Sequence, residues 1–264
     1  MDGNKKMNFL VESALLTHGL KSLSNDDIRE NWADEKCNIT WVSEGNIILG
    51  TMTEYLEFRK KADQVIRIDC YLLEKALRDK LSGALTASGT MEVCKKMGIS
   101  LAVTCGMGGI GDIRGEELCP DLPALMNFPG GLITTGPKDM LDRKATVTWL
   151  TEHEVQVFGA KRDFCTGYIF KGDPVKLQGI YDNGKTERKR PFLLVNEIPE
   201  EYRVADRKIL EEAILQGKQA EKEGRYYHPE VNGKIDELTK GYSSMIQLKS
   251  LMENVRLAKE LTGS

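Results

Sequence analysis

The chain is poor in several features that would have fixed a function class early. Its six cysteines (positions 37, 70, 94, 105, 119 and 165) form no CxxC pair and do not cluster with the three histidines. Closely spaced pairs are what a zinc-thiolate centre needs, so the thiols read as reduced and mostly buried. Long hydrophobic runs are missing too. Phe192–Val195, flanked by charges, is far too short to cross a bilayer, and MDGNKKMNFL carries no secretory h-region. The expectation is a cytoplasmic protein with no membrane partner. There is no cationic excess: net charge is −3, and the basic residues are scattered along helical stretches. A polymeric nucleic-acid partner is therefore not expected. Pro/Ser-rich linkers, internal repeats and low-complexity tracts are absent as well, and residues 1–264 read as a single domain.

What is present is an alternation of strand-length apolar runs with helix-length amphipathic ones. It predicts a layered α/β/α domain with a mixed, largely parallel sheet and a helical C-terminal third from about Ala205. Strands are expected at 7–12, 38–43, 46–50, 64–69, 100–105, 131–135, 155–159 and 191–196. Helices are expected at 25–34, 53–62, 71–82, 88–98, 120–127, 138–151, 205–222, 229–240 and 242–261. Between strand and helical third, FKGDPVKLQGIYDNGKTERKR has Gly-Asp-Pro and Asn-Gly turns and reads as irregular and exposed.

Four segments carry candidate chemistry. LAVTCGMGGIGDIRGEE places four glycines within six positions after a strand, which is either a tight turn or an anion cradle built from N–H groups. GALTASGTM sets Thr86, Ser88 and Thr90 before a helix, as caps or as donors to an oxyanion. LITTGPKDMLD puts Lys138 at an expected helix start, where the helix dipole disfavours the ammonium; a merely solvated lysine is the alternative. FLVESALLTHG ends a buried strand at Glu12, a general acid or a turn residue, and His18 is a base or a partner of the Gly19 turn.

Taken in order, FLVESALLTHG, VIRID, GALTASGTM, VTCGMGGIG, TTGPKDMLD and FLLVNEIPEEY resemble the pseudouridine-5′-phosphate glycosidase family, also called indigoidine synthase A-like, from about Asn8 onward. The resemblance implies a C-glycosidase or lyase that opens a ribose ring, forms a lysine imine at C1 and breaks or makes the C–C bond to a nucleobase. It implies Lys138 as nucleophile, Glu12 as proton donor, a divalent manganese ion and a homotrimer. It carries Glu117 to the metal, with Asp112 or Glu116 as substitutes, and Gly83, Thr86, Cys119, Asp121, Arg67 and His18 to the substrate.

The family's phosphate-binding lysine is replaced by Gln64, and Gly111 stands near the place of a family histidine. A C-terminal asparagine falls at Gln247 or Met245. These departures imply retained bond chemistry on an altered sugar phosphate or nucleoside. They leave two other readings, a catalytically idle sugar-phosphate- or nucleotide-binding protein and an enzyme that forms a C-nucleoside.

Overall fold

The computed structural model describes residues 8–32, 36–111, 118–183, 190–225 and 227–263. In chain order its elements are β1 (Leu10–Val11), α1 (Asn25–Asn31), β2 (Thr40–Ser43), β3 (Asn46–Leu49), α2 (Met52–Arg59), β4 (Ile66–Ile68), α3 (Leu73–Arg78), β5 (Gly83–Leu85), α4 (Ala87–Met97) and β6 (Leu101–Val103). There follow β7 (Gly106–Met107), α5 (Asp121–Met126), β8 (Gly131–Thr134), β9 (Gly136–Pro137), α6 (Arg143–Glu152), β10 (Gln156–Gly159), β11 (Phe164–Gly167), β12 (Lys171–Lys176), β13 (Gly179–Ile180), β14 (Phe192–Val195), α7 (Arg207–Lys222), α8 (Tyr227–Leu238) and α9 (Tyr242–Thr262).

The central sheet has the order β1-β6-β8-β14-β10-β13, and every pair in it is parallel. Side chains alternate across a strand, so each central strand feeds two cores. Val11, Val103, Ile133 and Leu194 enter one cluster with residues of α1, α2, α7, α8 and α9. Leu10, Ala102, Leu132 and Leu193 enter the other with residues of α3, α4, α5 and α6. This is the expected three-layer α/β architecture. Antiparallel pairing is confined to the satellites: β2 joins β3 and β5 antiparallel while β4 joins β5 parallel, and β11 pairs with β12.

Helix starts follow the local capping chemistry. Ser24 with Asp27 and Thr51 with Glu54 form reciprocal capping boxes for α1 and α2, and the Thr86 side chain accepts from the Gly89 N–H at the head of α4. Gly98, at φ +67°, closes α4 in the left-handed region. Among the described residues no helix is long and apolar enough to cross a membrane.

Two expectations fail. No helix starts at Lys138: α6 begins at Arg143, capped by Asp142, because the Asp142 carboxylate accepts the Ala145 N–H there. Lys138 follows β9 instead and donates its N–H to Met107 O at 3.1 Å. The Gly-Asp-Pro stretch is not a turn. It lies inside β12, where Pro174 is tolerated because this two-stranded ribbon has an edge on each side and a register shift between Cys165 and Gly167. The sequence reading also lacked β5, β7, β9, β11 and β13, which have four residues or fewer. It missed the single π-helical turn Leu15–Gly19 as well.

Candidate active site

All strands of the central sheet point the same way, so the residues that follow them gather at one edge, where ligands of open parallel sheets bind. Glu12 follows β1, Thr104 and Cys105 follow β6, Lys138 lies beyond β8 and β9, and Asn196 follows β14. The juxtaposition of Glu12 and Lys138 is thus a product of parallel topology.

The Glu12 side chain is buried, with its residue 5% exposed. Thr104 Oγ1 donates to its Oε1 at 2.7 Å, and the Cys105 N–H reaches the same oxygen at 3.4 Å. Burial pushes its pKa up, whereas the Thr104 hydrogen bond and the charges of Lys138 and Arg67 pull down and Asp121 adds to the rise. The balance lies on the side of a carboxyl group that can hold a proton. The buried-strand-end expectation for Glu12 therefore has its physical counterpart.

Lys138 is half-buried and has no ion pair among the described residues. Its neighbour Asp139 fixes the turn: the buried Asp139 carboxylate accepts the N–H groups of Tyr168, Ile169 and Phe170 at 2.9, 2.7 and 3.1 Å. Burial raises the Asp139 pKa against the pull of those three donors and of Arg143.

A hydrogen-bonded hub underlies Glu12. Asn254 of α9 donates to Thr104 O and Thr135 Oγ1 and accepts from Asn196 Nδ2. Cys105 Sγ lies 3.1 Å from Tyr168 Oη, and burial pushes its thiol up to about 12. Gln247, expected at the substrate, belongs to this hub: its Oε1 accepts from Tyr168 Oη at 2.9 Å and its Nε2 donates to Ser243 O at 3.1 Å. With the residue only 3% exposed, the Gln247 amide is a brace.

Three more candidates have scaffold duties. The Asp121 carboxylate accepts the Ser88 N–H at 3.0 Å and the Gly108 N–H at 2.8 Å, so it occupies the head of α4 and the Gly-rich segment at once. The oxyanion role expected of residues 86–90 is thereby met, in part, by an internal anion. The anion-cradle reading of GMGGIG weakens for the same reason, because Ile110 also gives its N–H to Thr146 Oγ1. Gly83 lies inside β5, paired with Val42 and Ile66, and a Cβ there would strike Ile68. Its glycine is explained by sheet packing. Cys119 Sγ packs against Gly108, beside Asp121.

On the rim, Arg67 of the edge strand β4 is exposed and has no ion pair among the described residues, and Gln64 is exposed at the end of a 3-10 turn. His18, on the π-helical turn, places Nε2 3.2 Å from Val65 O, while its buried Nδ1 has no partner. Burial and the Arg67 charge lower its pKa. Glu117 and its substitutes Asp112 and Glu116 lie outside the described residues. Among those described, no group of three His, Cys, Asp or Glu is placed to hold a metal ion.

The sequence reading missed Asp139 and Asn254, whose roles depend on distant backbone partners. It also missed His228, on the first turn of α8, whose charge neighbours are Lys138 and Arg67. The Asp next to Lys138 and the His-Pro pair at a helix start were the available signals.

A family model described as indigoidine synthase A like protein matches residues 9–263. The chain is 27% identical over 277 residues to a pseudouridine-5′-phosphate glycosidase of Caldanaerobacter subterraneus subsp. tengcongensis, covering 95% of this chain and 89% of the relative. It is 25% identical over 273 residues to one from Petrotoga mobilis, with the same coverage. Among solved structures, an indigoidine synthase A-like protein from Thermotoga maritima superposes with a TM-score of 0.78 at 23% identity, covering 96% of this chain and 91% of the other. The prealnumycin C-glycosynthase AlnA, in complex with ribulose 5-phosphate, gives a TM-score of 0.76 at 22% identity, covering 96% and 89%.

Proposed function

The chain belongs to the indigoidine synthase A-like family, and from that premise we propose that it cleaves or reversibly forms the C–C bond between a ribose-type sugar phosphate and a nucleobase-like ring. What supports the reading is that Glu12, buried and with its pKa raised by that burial, and Lys138 both follow strands at one end of a parallel sheet, with the lysine among the charges that act on the carboxyl.

In the cleavage direction the base ring gives up an N–H proton and expels O4 from C1, and O4 takes a proton. The Lys138 amine adds to C1 of the resulting C1=C bond while the base ring regains its proton. The nitrogen lone pair then forms the C1=N bond as the C1–C bond breaks, and the electron pair leaves with the base carbon. Glu12 delivers a proton to that carbon, and water hydrolyses the imine to free the sugar phosphate and Lys138. The lysine nitrogen supplies the electron push that expels a carbon leaving group, and the base ring, protonated at that carbon, takes up the pair. Asp139 holds the turn of Lys138, and Thr104 holds the Glu12 carboxyl.

The relatives' name, pseudouridine-5′-phosphate glycosidase, and the ribulose 5-phosphate bound by AlnA support a phosphorylated pentose as ligand. A homotrimer, a cytoplasmic setting and a manganese ion near Glu117 belong to the same proposal. Among the described residues no group of three His, Cys, Asp or Glu is placed to hold an ion, and no step above is routed through one. Sedimentation and metal analysis of the purified protein test these attributes.

The central test is borohydride reduction in the presence of ribose 5-phosphate or pseudouridine 5′-phosphate, followed by peptide mass spectrometry. The expected result is a reduced sugar adduct on Lys138. A substrate that turns over without any adduct there overturns the imine.

A further inference from the structure

The chain has three histidines, of which His153 and His18 each set one ring nitrogen on a backbone carbonyl. His153 stacks on Trp149 and its Nδ1 meets Trp149 O at 2.7 Å. His18 Nδ1 and His228 Nε2 are both shielded from solvent and have no hydrogen-bond partner among the described residues. Buried polar atoms are nearly always paired, because an unpaired one forfeits its water without compensation. Two orphaned imidazole nitrogens at one rim therefore call for a common explanation.

Their charge neighbours place them. His18 answers to Arg67 and Lys21, and His228 answers to Lys138 and Arg67. Arg67 is the shared member, and α8 packs on the π-helical turn that carries His18. His228 thus lies within charge range of both Lys138 and Arg67, on a helix packed against the turn that carries His18. Neither Arg67 nor Lys138 has an ion pair among the described residues. Burial and those two cations lower the His228 pKa to about 3, which leaves a neutral ring able to donate one N–H.

We propose that His228 is a substrate-contacting specificity residue which, with Arg67 and His18, receives the phosphate end of a pentose phosphate whose C1 meets Lys138. This deepens the proposed function and rests on it for the identity of the sugar. The chemistry of the cluster is that of an anion site: an unpaired guanidinium with two imidazole nitrogens that have no other partner. Gln64, exposed on the turn preceding β4, brings no cation, so charge falls to Arg67 and directional hydrogen bonding to the histidines.

The test is calorimetric titration of ribose 5-phosphate and, separately, inorganic phosphate into wild type, His228→Phe and His228→Gln, each checked for fold by circular dichroism. Loss of the N–H in His228→Phe is expected to weaken both ligands about 10-fold or more, and the Gln amide, which can donate near the same place, to recover most of it. Ribose 5-phosphate affinity unchanged in His228→Phe overturns the proposal. So does weakened ribose 5-phosphate with unchanged phosphate, which would place His228 on the sugar. If His228→Phe does not fold, the wild-type ring ¹⁵N resonances decide: movement of the His228 signals on phosphate addition is expected, and its absence overturns the proposal. Inorganic phosphate forms no imine, so a failed borohydride trap at Lys138 and a failed result here are separate findings.

Discussion

The hub beneath Glu12 and the rim around Arg67 are a few side chains apart and are built on opposite terms. In the hub, Asn254, Gln247, Tyr168 and Thr104 spend their side-chain polar atoms on neighbouring side chains, Glu12 included, and on backbone. At the rim, Arg67 and Lys138 have no ion pair among the described residues, and two imidazole nitrogens have no partner. A saturated network fixes geometry, whereas an unsaturated one keeps interaction energy in reserve for a ligand. Glu12 stands at their boundary, held by Thr104 and exposed to the charges of the rim.

The comparison breaks first at Lys138. Lys138→Ala is expected to lower turnover by about 10³-fold or more and to abolish the borohydride adduct at that position, since the amine that forms the imine is gone. Binding of ribose 5-phosphate without turnover should survive, and steady-state rates with equilibrium titration separate the two.

Glu12→Gln tests the boundary. Turnover should fall about 10²- to 10⁴-fold, as loss of a positioned proton donor does. In wild type the rate should fall as pH rises through the elevated Glu12 pKa, and that limb should vanish in the variant. Stability has its own sign. Because the folded pKa is raised, the favourable contribution is complete below the unfolded value and is lost as pH rises through the folded one. Glu12→Gln should therefore raise Tm at pH 8, by about 1–2 kcal/mol of unfolding free energy, and much less at pH 4. Calorimetry at both values decides, and a lower Tm at pH 8 would show that the buried carboxylate is not a cost.

Asn254→Ala sharpens the hub side. It leaves Thr104 O and Asn196 without a partner in a dry environment, which is expected to cost about 2–4 kcal/mol by urea denaturation. Gln247→Ala should cost about 1–2 kcal/mol and leave the affinity for ribose 5-phosphate within about 2-fold, as suits a brace and not a ligand contact. A 10-fold loss of that affinity would return Gln247 to the substrate. The smallest effect belongs to Gln64→Lys at the exposed rim: added positive charge beside Arg67 should tighten inorganic phosphate binding by about 2- to 5-fold, more at low salt.

Residues of strong local pattern were legible. Val11, Val103, Ile133 and Leu194 lie in apolar runs of strand length, and Thr86 stands where a helix cap belongs. By its place at the end of an apolar strand Glu12 was a general acid or a turn residue equally, and only the motif FLVESALLTHG singled it out. Lys138 could be identified from its motif, but its surroundings were misread: a Gly-Pro turn followed by a polar helix looks continuous in sequence, while the chain inserts β9 and a turn pinned by Asp139 before α6 starts at Arg143. Gly83 and Gln247 looked like ligand contacts because glycine and amide side chains serve packing and binding equally well. Their packing against Ile68 and Tyr168, distant in sequence from β5 and from α9, is visible only in the tertiary structure.

By itself, the sequence determined the alternation of elements, the helix caps and the chemical identity of Glu12 and Lys138, because these depend on side chains a few positions apart. Tertiary structure alone decided that every central strand is parallel, so that residues 12 and 138 share an edge. It also decided that Asp121 and Gln247 are spent on the scaffold and that His228 comes from the helical third to stand by Lys138 and Arg67. Burial and charge proximity are properties of space, and chain separation carries no record of them.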